Sequence, residues 1–152
     1  MMKWSDEKKR DVALLVLRVT AGAIFVFHGY GKLLGGAPGM AGFTKMVTGL
    51  GFPLPDVFAW AAALSEFVGG IALILGLFPR IAAVFTAMVM LVALFMVKKG
   101  ALPKADPDYA LLAMSIAIML MGGGRYALGR FLPKRGTSVP QGAPAQSTTA
   151  QK

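Results

Sequence analysis

Apolar residues run along this chain in long blocks rather than in alternation. Four stretches approach the roughly 17–25 residues that a helix needs to cross a bilayer: Val12 to Leu34, Val57 to Leu77, Ile81 to Val97 and Tyr109 to Gly124. Arg18, His28 and Lys32 interrupt the first, Glu66 alone interrupts the second, and the other two carry no charge. Breaker residues separate them. Gly35-Gly36-Ala37-Pro38-Gly39 closes the first, and Pro53, Pro55 and Asp56 precede the second. Lys98-Lys99-Gly100, then Pro103, Pro107 and Asp108, part the third from the fourth. Phe78-Pro79-Arg80 leaves room only for a tight turn, so the second and third segments should be antiparallel neighbours. Strands of a transmembrane barrel would alternate over about ten residues, whereas these runs are apolar all round. The pattern predicts an all-α polytopic membrane protein, an antiparallel bundle of four transmembrane helices within residues 12–132.

The flanks differ from the core. Residues 1–11 form a basic cytoplasmic leader ahead of an apolar run, which resembles a secretion signal with Gly39-Met40-Ala41 as a site for cleavage. The length of that run and the three spans behind it favour an uncleaved first helix. Between the first two spans, Met40, Phe43, Met46, Val47 and Leu50 recur at helical spacing. They predict a short amphipathic helix at the outer interface. Residues 133–152 are rich in Pro, Gly, Ser, Thr, Gln and Ala, and predict a disordered cytoplasmic tail.

Composition sharpens this picture. The chain of 152 residues is 56% hydrophobic and 15% charged, with a mean hydropathy of +0.64; soluble domains hold about 45–50% and about 25%. A net charge of +9 would suggest nucleic acid in a soluble protein. Here the basic residues sit at the ends of apolar blocks, where they set topology, so the expected partner is the bilayer and not nucleic acid. Ten Lys and Arg fall on the side of the termini and the second loop, against five on the other. The positive-inside rule places both termini in the cytoplasm. With no cysteine, disulfides, iron–sulfur clusters and thiol relays are excluded.

Charges inside hydrocarbon are costly and mark candidate sites. Counted from the span ends at about 1.5 Å per residue, Arg18 and Glu66 differ in depth by only about 7 Å. The expectation is an Arg18–Glu66 contact, read either as a lock between two helices or as a dyad that handles a proton or ligand. Arg18, Gly22, Phe25, Gly29 and Lys32 share one helical face, as do Ala59, Ala62, Glu66, Gly70 and Leu73. Small residues beside each charge would let the two backbones approach. His28, the one histidine, is either a partly wet hydrogen-bonding side chain or a donor to a quinone carbonyl. It excludes bis-histidine haem within one chain, and no metal site is expected. The ten methionines are scattered, which suits flexible packing rather than a copper path. Gly122-Gly123-Gly124 lacks the Lys-Ser/Thr partner of a phosphate loop.

Several of these residues stand in a familiar order. Arg18-Val19, Gly22, Phe25, Phe27-His28-Gly29 and Lys32-Leu33 together resemble the first-helix signature of the DoxX family. The resemblance continues through Phe43, Leu50-Gly51-Phe52-Pro53, Glu66-Phe67-Val68-Gly69-Gly70, Gly76-Leu77-Phe78-Pro79-Arg80 and Gly124-Arg125-Tyr126. Before the fourth span the chain departs from the family pattern, with Pro107-Asp108-Tyr109 in place of an Asn/Gly-rich approach. The resemblance implies a four-helix protein of the bacterial inner (plasma) membrane and adds Lys32, Arg80, Arg125 and Tyr126 to the candidate residues. The family takes its name from a subunit of a thiosulfate–quinone oxidoreductase, and its members are often linked to redox or thiol-stress complexes. The expected role is therefore an accessory or quinone-adjacent subunit of such a complex, with a quinone the one cofactor the pattern admits. The alternative is a small proton-coupled transporter or proton pathway in which Glu66 titrates. A scaffold or lipid-organising role is a third. Partners would be redox subunits or a second copy of the chain. No self-contained catalytic site is visible, so enzymatic activity stays open.

Overall fold

The computed structural model describes residues 5–101 and 105–130. Residues 1–4 of the leader, residues 131–132 and the predicted tail lie outside the described residues. Among those described, every regular element is helical. In chain order they are α1 (Asp6–Leu33), α2 (Gly39–Gly49), α3 (Pro55–Leu75), α4 (Pro79–Val92) and α5 (Asp106–Met121). α4 runs on through a π-helical turn, Ala93–Val97, and a 3₁₀ turn, Leu128–Arg130, follows α5.

α1 begins before the apolar block does. The Ser5 hydroxyl accepts from the Lys8 N–H at 3.4 Å, and Asp6 and Glu7 occupy the first turn. A side-chain cap and two carboxylates at the positive end of the dipole favour a helix start there. From Asp6 onward the leader is thus the first turns of α1. Pro55 and Pro79 open α3 and α4, where a missing N–H costs nothing. Gly76, at φ 71°, ends α3 in the left-handed conformation. Its N–H donates to Leu73 O at 3.2 Å and that of Leu77 to Ala72 O at 2.9 Å, a helix stop that favours glycine. Only Gly76, Leu77 and Phe78 separate α3 from α4, the tight turn that the sequence predicts.

α1 and α3 form the closest seam. A Cβ on Gly22 would lie 2.6 Å from Gly70 O, and one on Gly29 would lie 2.6 Å from Phe67 N. Only absent side chains permit such an approach, and the two contacts show the helices antiparallel. The buried stripe holds Arg18, Gly22, Phe25 and Gly29 on α1, and Ala59, Glu66, Gly70 and Leu73 on α3. Ala63 is fully buried beside them, whereas Ala62 is only partly buried. α5 lies antiparallel to α4, with Thr86 and Ser115 hydroxyls 3.2 Å apart in the buried seam. Phe25, Leu73, Ala83, Met90, Leu111 and Ile118 belong to the common core. Outside it the surface is apolar: Phe27 is 75% exposed and Leu120 68%. Such a surface suits lipid rather than water.

Among the described residues three helices, 6–33, 55–75 and 79–97, are long and apolar enough to cross a membrane. α5, the expected fourth span, has 16 residues, about 24 Å at 1.5 Å per residue. α2 occupies the place of the predicted amphipathic helix, packing on α1 and α3 with Val47 buried.

Candidate functional site at a buried ion pair

Glu66 sits on the buried stripe of α3 and is 2% exposed. A carboxylate so placed needs a cation or several hydrogen bonds to offset its lost hydration. Lys32, in the last turn of α1, supplies the cation. Its Nζ lies 2.6 Å from Glu66 Oε1 and 2.5 Å from Oε2. The glycine contact at Gly29, one turn earlier, draws the two backbones together and so brings Lys32 within reach. α2 adds the third side: the Phe43 ring centroid lies 4.4 Å from Lys32 Nζ, within cation–π range. The Lys32 side chain remains 24% exposed. The result is a proton-bearing donor and a buried acceptor, beside an aromatic ring and partly open to the surroundings.

Arg18 does not meet Glu66. Arg18 is fully buried; Nη1 donates to Leu73 O at 3.5 Å and Nη2 to Tyr126 O at 3.1 Å. The expected pair fails on register. Gly22 abuts Gly70, with Arg18 four residues to one side of that contact and Glu66 four to the other. Eight residues make about 12 Å along the axis. Reckoning depth from hydropathy boundaries takes each helix to start flush with its own bilayer surface, whereas the glycine contact sets the slide between them.

The other candidates scatter. His28 lies on the exposed face of α1, its ring 6.4 Å from that of Phe27 and tilted by 52°. It does not join the ion pair. Arg80 is exposed and donates to Leu120 O at 3.4 Å. Tyr126 acts through its carbonyl, which receives Arg18, and Arg125 through its N–H, which donates to Asp11 Oδ1 at 3.1 Å. A second ion pair went unforeseen: Lys98 Nζ lies 2.6 Å from Asp108 Oδ2, joining the end of the α4 continuation to the start of α5. Its signal was present, as opposite charges border consecutive apolar blocks. Among the described residues no three His, Asp or Glu side chains converge to hold a metal ion.

The sequence pattern that defines the DoxX family matches residues 13–99. The chain belongs to the DoxX family. The matched stretch holds Arg18, His28, Lys32, Glu66 and Arg80, while Arg125 and Tyr126 fall beyond it. This DoxX protein is 35% identical to the Bacillus subtilis (strain 168) protein named "Putative oxidoreductase CatD" over 129 residues, which is 84% of the chain and 92% of the relative. It is 29% identical to "Inner membrane protein YqjF" of Escherichia coli (strain K12) over 134 residues, 85% of the chain and 98% of the relative. A shorter match, 33% identical over 75 residues, joins about half of the chain (49%) to about half (51%) of "Inner membrane protein YphA" of the same organism. No solved structure matches the chain.

Proposed function

We propose that this DoxX protein is a subunit of a redox complex in the bacterial inner membrane, and that the Lys32–Glu66 pair is where a quinone head group contacts it. The pair itself carries the reading. It is a buried carboxylate held by an ammonium that is 24% exposed and lies beside the Phe43 ring, and a relative bears the name oxidoreductase. Reducing a quinone takes protons as well as electrons. Lys32 can hydrogen-bond a carbonyl oxygen and deliver a proton there, while Glu66 keeps the ammonium in place when no acceptor is present. Electrons would come from another subunit. In this reading α5 completes a fourth crossing alongside α4, and both termini face the cytoplasm, as the Lys and Arg distribution favours.

Purification of the full chain from its native membrane in mild detergent tests the proposal. A partner subunit should co-purify, and quinone should be found in the lipid extract. Lys32→Met should lose the quinone and keep the partner. A chain that runs alone and quinone-free would overturn the reading.

Proton conduction through Glu66 is the second reading, favoured because Lys32 links a buried carboxylate to a more exposed position. Both Glu66 oxygens are bound to Lys32, so each cycle would have to part the pair. A vesicle flux assay separates the two: pH-driven flux that Glu66→Gln abolishes would favour conduction.

A further inference from the structure

Arg18 carries a fully buried positive charge. Among the described residues it forms no ion pair, because Lys32 holds Glu66, and its Nε has no hydrogen-bond partner. Carbonyls of Leu73 and Tyr126 satisfy part of the guanidinium, but a buried cation without a counter-charge is destabilising. Its surroundings show where a counter-charge could sit. Arg18 Nη1 presses on Gly76, so that a Cβ there would collide with it and with Ala127. Gly76 and Ala127 in turn line a cavity of about 670 Å³ between the α3–α4 turn and the segment after α5. Arg18 thus lies directly behind its floor.

The rest of the cavity is built from two kinds of side chain. Arg80 and Arg130 line it, and among the described residues neither forms an ion pair. Phe78, Ile81 and Met121 supply apolar walls, and they are 63%, 58% and 49% exposed. α3 and α4, both long and apolar enough to span, meet at this turn, so the cavity lies at a membrane boundary, at head-group level. An adjoining hollow of about 350 Å³ shares Arg130 and adds Arg10 and Arg125, with Glu7 and Asp11 beside them. Guanidinium groups outnumber carboxylates across the two.

We propose that this cavity binds the phosphodiester head group of an anionic glycerophospholipid. Arg80 and Arg130 contact the phosphate, Arg18 contributes its charge through the floor, and the acyl chains lie over Phe78, Ile81 and Met121. Paired guanidinium and phosphate groups match in geometry as well as charge, and basic pockets between membrane helices suit anionic head groups.

The test uses the full chain in neutral detergent, with its melting temperature followed as lipid is titrated in. Phosphatidylglycerol should raise it, while phosphatidylcholine and inorganic phosphate at equal concentration should not. Arg80→Gln and Arg130→Gln should each weaken the apparent phosphatidylglycerol affinity about fivefold, the equivalent of about 1 kcal/mol per basic residue near an anionic surface. Arg130 lies in the last described turn, where the contact found is its N–H to Ala127 O, so its loss should leave the bundle folded. Should Arg80→Gln not fold, Arg80→Lys preserves the charge and should still bind, and Arg130→Gln decides. An equal response to both lipids, full substitution by phosphate, or undiminished affinity in a folded Arg130→Gln protein would overturn the proposal.

Discussion

At the scale of single residues, the stability of this protein turns on which cation answers Glu66. Lys32→Met leaves a carboxylate that is 2% exposed without a partner, and should lower stability by about 3 kcal/mol, the lower end of the range for broken buried pairs. Glu66→Gln should cost less, because the Lys32 side chain is 24% exposed and can turn towards solvent. The double substitution should recover part of the loss, and melting of the four proteins in detergent measures that coupling. Arg18→Met combined with Glu66→Gln should instead add, since those residues do not touch. Non-additivity in that second cycle, or none in the first, would contradict the assigned pairs. The three intramembrane charges were visible in the sequence. Their pairing was not, because hydropathy locates a residue only to within the blurred ends of a span.

At the scale of helices, the α1–α3 seam depends on glycines that admit no substituent. A Cβ on Gly29 would meet three Phe67 atoms at 2.6–2.8 Å, whereas one on Gly31 would meet nothing within 4 Å. Gly29→Val should therefore destabilise by about 1–3 kcal/mol, as overpacking does. Gly31→Ala, two residues on in the same helix, should stabilise by up to about 1 kcal/mol through helix propensity. Comparing melting temperatures checks both, and equal effects would remove the seam from this account of the fold. Lys32 delivery to Glu66 rests on the same approach, so Gly29→Val should also weaken any quinone retention. The face that carries these glycines could be read from spacings of three and four. Which glycine meets which neighbour could not.

For the whole molecule, the prediction concerns topology. The chain lacks cysteine, so a single introduced thiol reports its own side of the membrane without background. Four crossings put Ser5→Cys and Leu128→Cys within reach of an impermeant reagent from one side and Thr48→Cys from the other. Labelling of whole cells should modify only Thr48→Cys, and inverted vesicles should show the reverse. If Ser5→Cys and Leu128→Cys report opposite sides, α5 does not cross, and the bundle spans three times with a short helix leaning on α4.

Local chemistry by itself determined much of this protein. Block lengths of apolar residues, proline and glycine breaks and the helical spacing of small residues announce helices, their boundaries to within a turn or so, and the faces they bury. Each depends on neighbours within four residues, so each survives without knowledge of the fold. α1 extends past its apolar block to Asp6 because a cap and a dipole, not hydropathy, decide where a helix starts. The tertiary structure alone decided that Lys32 rather than Arg18 holds Glu66, and that Arg18 is left behind the floor of a basic cavity. Those outcomes follow from the slide of one helix along another. That slide is set by contacts such as Gly22 on Gly70, and a shift of two turns, about 11 Å, exchanges one charge partner for another while leaving every local pattern unchanged.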